Sequence, residues 1–101
     1  MSAATPGATS IAVVTTPMAE RYLKQMCKHF AHKRPVAIEA ENSATIELSS
    51  GLCHLNAQGD VLTISLSAIT DDLLAELQKT VANHLLRFAF REQLQVEWRN
   101  A

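Results

Sequence analysis

The apolar positions of this chain recur with two periods. Residues 11–16, Ile-Ala-Val-Val-Thr-Thr, are mostly β-branched and predict a strand that stops before Pro17. Thr16 can cap a helix and proline fits a first helical turn, so a helix is expected over residues 17–33. At about 100° per residue, Ala19, Tyr22, Leu23, Met26 and Phe30 gather on one stripe, while Arg21, Lys24 and Lys28 fall on the other side. Pro35 restricts Arg34 to extended backbone and ends the helix. A period of two then takes over. Val36, Ile38 and Ala40, then Ala44, Ile46 and Leu48, then Leu62, Ile64, Leu66 and Ala68 mark the buried faces of three extended segments, with Glu, Thr and Ser mostly opposite. Asn42-Ser43 and Gln58-Gly59-Asp60 supply the turns. Between Leu48 and Cys53 the apolar parity switches from even to odd numbers at Ser49-Ser50-Gly51, which predicts a β-bulge or bend there.

Thr70-Asp71-Asp72 starts a second helix, with a capping hydroxyl and two carboxylates at the positive end of the dipole. It is expected to run to residue 88, with Leu73, Leu77, Val81, His84 and Phe88 inward and Glu76, Lys79, Asn83 and Arg87 outward. Leu94, Val96 and Trp98 alternate with Gln95, Glu97 and Arg99 as a last strand, with Trp98 as a core anchor. The order is β-α-β-β-β-α-β. Short connections favour hairpins over crossovers. Two amphipathic helices and a half-solvated sheet hide their apolar faces together as an α+β two-layer sandwich, with a mainly antiparallel sheet of about five strands and both helices on one face. Residues 1–8, small and polar with Pro and Gly, are expected to be a disordered leader to a single domain over residues 9–101.

Composition narrows the function classes. With 48% hydrophobic and 19% charged residues and a net charge of −1, the chain has the make-up of an ordinary globular domain, and a pI near 6.4 argues against a nucleic-acid binder. The N-terminus lacks a charged n-region, the apolar run 11–14 is too short for a signal sequence, and no segment has transmembrane length. A cytoplasmic location is therefore expected, with Cys27 and Cys53 reduced.

The densest chemistry is Cys27-x-His29-x-x-His32. Residues three apart on a helix are neighbours, so His29 and His32 can share a metal ion, but Cys27 lies about 200° round the helix from His29. The plainer reading is that Lys28, His29, His32, Lys33 and Arg34 favour the negative end of the helix dipole. Cys53 and His54 are adjacent on a strand and point to opposite faces, and no base near Cys53 in sequence activates its thiol. His84 lies in an apolar stripe, either as a satisfied core histidine or as a neutral ring between the helices. Arg21, Lys28 and His32 fall within about 40° of one another, and Lys33, Arg34, Arg87 and Arg91 extend the positive patch if the helix ends align.

The favoured reading is a small binding or accessory module. Arg21, His29, His32, Lys33, Arg87 and Arg91 would hold an anionic small molecule or an acidic protein partner, with neither nucleic acid nor membrane involved. The alternatives are a metal- or haem-binding protein using His29 and His32 with Cys53 or His84, and a small enzyme using His84 as base or Cys53 as nucleophile. The enzyme reading is disfavoured, because no pair of catalytic groups stands at a readable spacing. The residue pattern fixes neither a metal nor a cofactor.

Through Arg21-Tyr-Leu, Cys27-Lys-His-Phe-Ala-His-Lys33, Gly51-x-Cys53 and His84-Leu-x-Arg-Phe-Ala-Phe-Arg91, the chain resembles a bacterial family catalogued as domain of unknown function 2218, over residues 13–98. The resemblance implies no activity. Members look like stand-alone small proteins or appendages and neighbours of siderophore-interacting flavoproteins. That implies a setting near iron-siderophore handling and such a flavoprotein as a partner. The aldolase name of some members does not transfer, because a barrel aldolase needs about 250 residues.

Overall fold

The computed structural model describes residues 7–100. Of the expected leader, residues 1–6 lie outside the described residues, and Ala8 already opens the first strand. The elements are β1 (Ala8–Thr15), α1 (Ala19–Ala31), β2 (Val36–Ala40), β3 (Ser43–Leu48), β4 (Gly51–Gln58), β5 (Val61–Ala68), α2 (Asp71–Phe88) and β6 (Arg99–Asn100). They form one antiparallel sheet, ordered β2-β3-β4-β5-β1-β6, and two helices. The architecture is the expected α+β one in the expected order, with six strands instead of about five.

The extra strand explains the parity switch. The chain reverses at Ser49 and Ser50, so Ile46 lies opposite Cys53 and Leu48 opposite Gly51. Residues directly opposite in an antiparallel pair share a face, and a two-residue turn pairs even positions with odd ones. What resembles a bulge in sequence is therefore a tight hairpin. The turn at Gly59 and Asp60 switches the parity back, with Cys53 opposite Leu66, and Gly59 takes the left-handed φ of 57°.

The inner face of the sheet carries Ala12, Val14, Ala44, Ile46, Cys53, Leu55, Leu62, Ile64 and Leu66, all buried. The expected burial of Val36, Ile38 and Ala40 is corrected, since Val36 is half-buried and Ile38 is 63% exposed. β2 is an edge strand, and α1 reaches only its near side. On the outer face, Glu39 accepts a hydrogen bond from Thr45 Oγ1 at 2.9 Å and lies 3.3 Å from His54 Nδ1. These contacts join three strands but are half-exposed, so each contributes less than about 1 kcal/mol.

α1 buries the expected stripe of Ala19, Tyr22, Leu23, Met26 and Phe30 and adds Cys27. It starts at Ala19, later than expected. Thr16 Oγ1 accepts from the Met18 amide at 3.1 Å, forming a turn ahead of the helix instead of capping it. Thr70 does cap α2, accepting from the Leu73 amide at 3.1 Å. The inward stripe of α2 is rotated from the expected one: Leu74, Leu77, Val81 and Leu85 are buried, whereas Leu73, His84 and Phe88 are half-buried. α2 has two neighbours, and the His84 and Phe88 flank faces α1 instead of the sheet.

Residues 93–98 are irregular and only β6 pairs, against Ser10 and Ile11, so the last strand is shorter and later than expected. Leu94, Val96 and Trp98 still pack, half-buried, on the core. Among the described residues, no helix is long and apolar enough to cross a membrane.

Candidate functional site

The helices run past each other in opposite senses. His29 and Phe30 near the end of α1 meet His84, with ring centroids 4.8 Å apart in each pair, while Arg21 and Tyr22 near its start share a cleft with Phe88, Phe90 and Glu92. This divides the expected basic patch. His29, His32 and Lys33 line one cleft of about 500 Å³, and Arg21 and Arg91 line another of about 600 Å³. Arg87 is exposed, close enough to His29 to act on its charge. Phe88 stands between the clefts, its ring meeting that of His29 nearly edge-on at 5.7 Å.

The first cleft is built by local chemistry at the end of α1. The amides of Lys33 and Arg34 both donate to the Phe30 carbonyl, at 3.0 and 2.8 Å, winding the chain into a terminal turn. Pro35 then redirects it, and its carbonyl accepts from the Glu47 amide at 3.0 Å. Arg34 Nε donates to the Glu47 carbonyl at 3.0 Å, which fixes this corner to the end of β3. The β3–β4 turn contributes Ser49 and Ser50, α2 contributes Thr80 and His84, and Phe30, Leu48 and Leu77 form the apolar floor.

Gly51 allows this closure. Its φ is +156°, and a Cβ there would lie 2.2 Å from the Ser67 carbonyl oxygen and 3.1 Å from Leu77 Cδ2. Neither the Ser49–Ser50 hydroxyls nor Thr80 is marked in the sequence as a site residue. Their only signals are the parity switch and the four-residue spacing of Thr80 and His84.

His84 is polarised by its own helix. Its Nδ1 lies 2.7 Å from the Thr80 carbonyl, which can only accept, so the neutral ring carries its proton on Nδ1 and leaves Nε2 as an acceptor. His29 has a pKa held below the ordinary histidine value, by partial burial first and then by His84, Arg87, His32 and Lys33. The four side chains acting on its charge are all cationic when protonated. Among the described residues, arginine, lysine and imidazole are the only ionisable groups lining the cleft, and Glu76 is exposed, 3.4 Å from Ser50 Oγ.

The cysteines stand apart from this chemistry. Both thiols are free and buried. Cys53 lies on β4 between Ile46 and Leu66, and burial, with a smaller contribution from Cys27, pushes its pKa up to about 12. Cys53 is enclosed in the core and does not line the cleft. Cys27 faces β2, away from His29, and burial raises its pKa as well. Among the described residues, no group of three or more His, Cys, Asp or Glu side chains could hold a metal ion.

At the other end of the helix pair, Glu92 accepts from Thr16 Oγ1 at 2.9 Å and from the Tyr22 hydroxyl. This holds the turn after α2 against the start of α1. Glu92 is unmarked in the sequence because its partners lie 76 and 70 residues away.

The fold has a solved counterpart. The NMR structure of PA4090 from Pseudomonas aeruginosa is similar, with a TM-score of 0.75 and 34% sequence identity over 91% of this chain and 95% of that one. No curated protein matches the chain. Residues 11–99 match a family described as "Uncharacterized protein conserved in bacteria", the domain of unknown function 2218 suggested by the residue strings above, and the chain belongs to that family.

Proposed function

We propose that the protein is a small cytoplasmic binding module that holds an anionic small molecule in the cleft between the end of α1 and α2. One observation carries this reading: among the described residues, every ionisable side chain lining the cleft is a cation or an imidazole. His29, His32, Lys33 and Arg34 provide the attraction, the Ser49 and Ser50 hydroxyls and His84 provide hydrogen bonds, and Phe30, Leu48 and Leu77 exclude water from one side. An acidic protein partner would be drawn to the same charges.

Ferric citrate probes the iron-siderophore setting implied by the family resemblance, and pyrophosphate probes an anion without iron. Each is expected to raise the melting temperature through preferential binding to the folded chain. His32→Ala combined with Lys33→Ala removes two exposed side chains, and is expected to lower affinity at least about tenfold without unfolding the domain. Unchanged affinity in that variant overturns the reading.

A second reading rests on the paired rings of His29 and His84 and the free Nε2 of His84, which could hold a metal ion with ligand atoms from outside the protein. It is the weaker one, because Lys33, Arg34 and Arg87 set the local potential against a cation. Stoichiometric zinc, copper or nickel in freshly purified protein would favour it over the anion site.

A further inference from the structure

The cleft at the other end of the helix pair has different chemistry, and three of its features are left unused by the fold. Phe90 is 74% exposed, and the Arg91 guanidinium lies 5.4 Å from its ring centroid, so a cation and an aromatic face are presented together. Gln25 lines the cleft, and its Oε1 is buried with no hydrogen-bond partner among the described residues. Arg21 and Arg91 both line the cleft, and neither forms a salt bridge among the described residues.

Among the described residues Glu92 is the one carboxylate in the lining, and the Thr16 and Tyr22 hydroxyls already donate to it. The lining therefore carries a net positive charge, and the open demands are an anion, a ring and a hydrogen-bond donor.

We propose that this cleft binds an aromatic carboxylate bearing a ring hydroxyl or amine. The carboxylate pairs with Arg21 and Arg91, whose forked donors suit it. The ring packs on Phe90 and Phe88, and the hydroxyl or amine donates to Gln25 Oε1. The site is separate from the cationic cleft, since Phe88 divides them and His29, His32 and Lys33 line only the other one. It stands whether or not the first cleft binds an anion.

The test is a titration of the full chain, followed by backbone amide shifts, with the hydroxybenzoate isomers, benzoate, phenol and cyclohexanecarboxylate. For a ligand of this size, the best hydroxybenzoate is expected to bind with a Kd of about 0.1–1 mM and shift residues 21–25 and 88–92. Benzoate is expected to be about five- to tenfold weaker, and phenol and cyclohexanecarboxylate weaker again. Phe90→Ala and Arg91→Ala alter exposed side chains and should each abolish binding in a folded protein. Gln25→Met should erase the preference for the hydroxyl while benzoate still binds. His32→Ala with Lys33→Ala should leave hydroxybenzoate binding unchanged, which separates this site from the first cleft. The proposal is overturned by no binding at about 10 mM, equal affinity for benzoate and every hydroxybenzoate, or shifts confined to residues 29–34 and 80–84.

Discussion

Tyr22 is the only tyrosine in the chain, and its hydroxyl is held between core and carboxylate. Burial, then the hydrogen bond and charge of Glu92, raise its pKa from 10.0 to about 12, against a smaller opposing effect of Arg21. The folded chain thus holds this proton more tightly than the unfolded chain. The resulting stability is fully present below pH 10.0 and is lost as pH rises through about 12. Tyr22→Phe is expected to lower stability at neutral pH by about 1 kcal/mol and to flatten the alkaline decline. Denaturant melts across that pH range, with tyrosinate absorbance reading this one ring, check both effects. The helix period shows Tyr22 to be inward, but it carries no information about Glu92, because a contact across 70 residues depends on where the chain turns after α2. The same limit applies to Gln25, whose unmet carbonyl is a property of its surroundings in the fold.

Among the elements, the β3–β4 hairpin depends most on a single residue. Gly51→Ala would place a methyl carbon 2.2 Å from a backbone oxygen that belongs to the neighbouring strand and cannot swing away. It is expected to destabilise the domain by about 3 kcal/mol, read as a lowered denaturant midpoint, and to weaken pyrophosphate binding in the cleft that Ser49 and Ser50 border. The apolar parity switch was visible in the sequence, but its cause was ambiguous, since a bulge and a two-residue hairpin both exchange odd for even. Likewise the apolar positions of α2 span an arc wide enough for two contacts, and periodicity does not say which half meets the sheet. Ile38 shows the converse error. Alternation marks an inward face, but only strand order reveals that β2 is an edge with little of α1 above it.

For the molecule as a whole, the net charge of −1 conceals a local separation, with cations collected at the end of α1. Burial first and then the neighbouring positive charges lower the His29 pKa, and an anion bound there offsets the second cause, so binding draws in a proton. Without ligand, His29 binds its proton less tightly folded than unfolded, so stability falls as pH drops below 6.5. Pyrophosphate should reverse that trend and bind more tightly at pH 6 than at pH 8, checked by calorimetry in buffers of differing ionisation enthalpy. Layers, class and order were legible because burial periodicity records them. The division of the basic patch was not, since it follows from the opposed directions of two helices whose sequences are equally compatible with either sense.

The position of β1 also orders events in time. β2 to β5 are joined by short turns and can zip up from neighbour to neighbour, whereas β1 pairs with β5 and β6, both far along the chain. During synthesis β1 must wait for a late partner, with Ala12 and Val14 uncovered in the interval. Small side chains at Ala8, Ser10 and Ala12 keep the waiting strand thin on its inner side, so it can slip beneath helices that have already met the sheet.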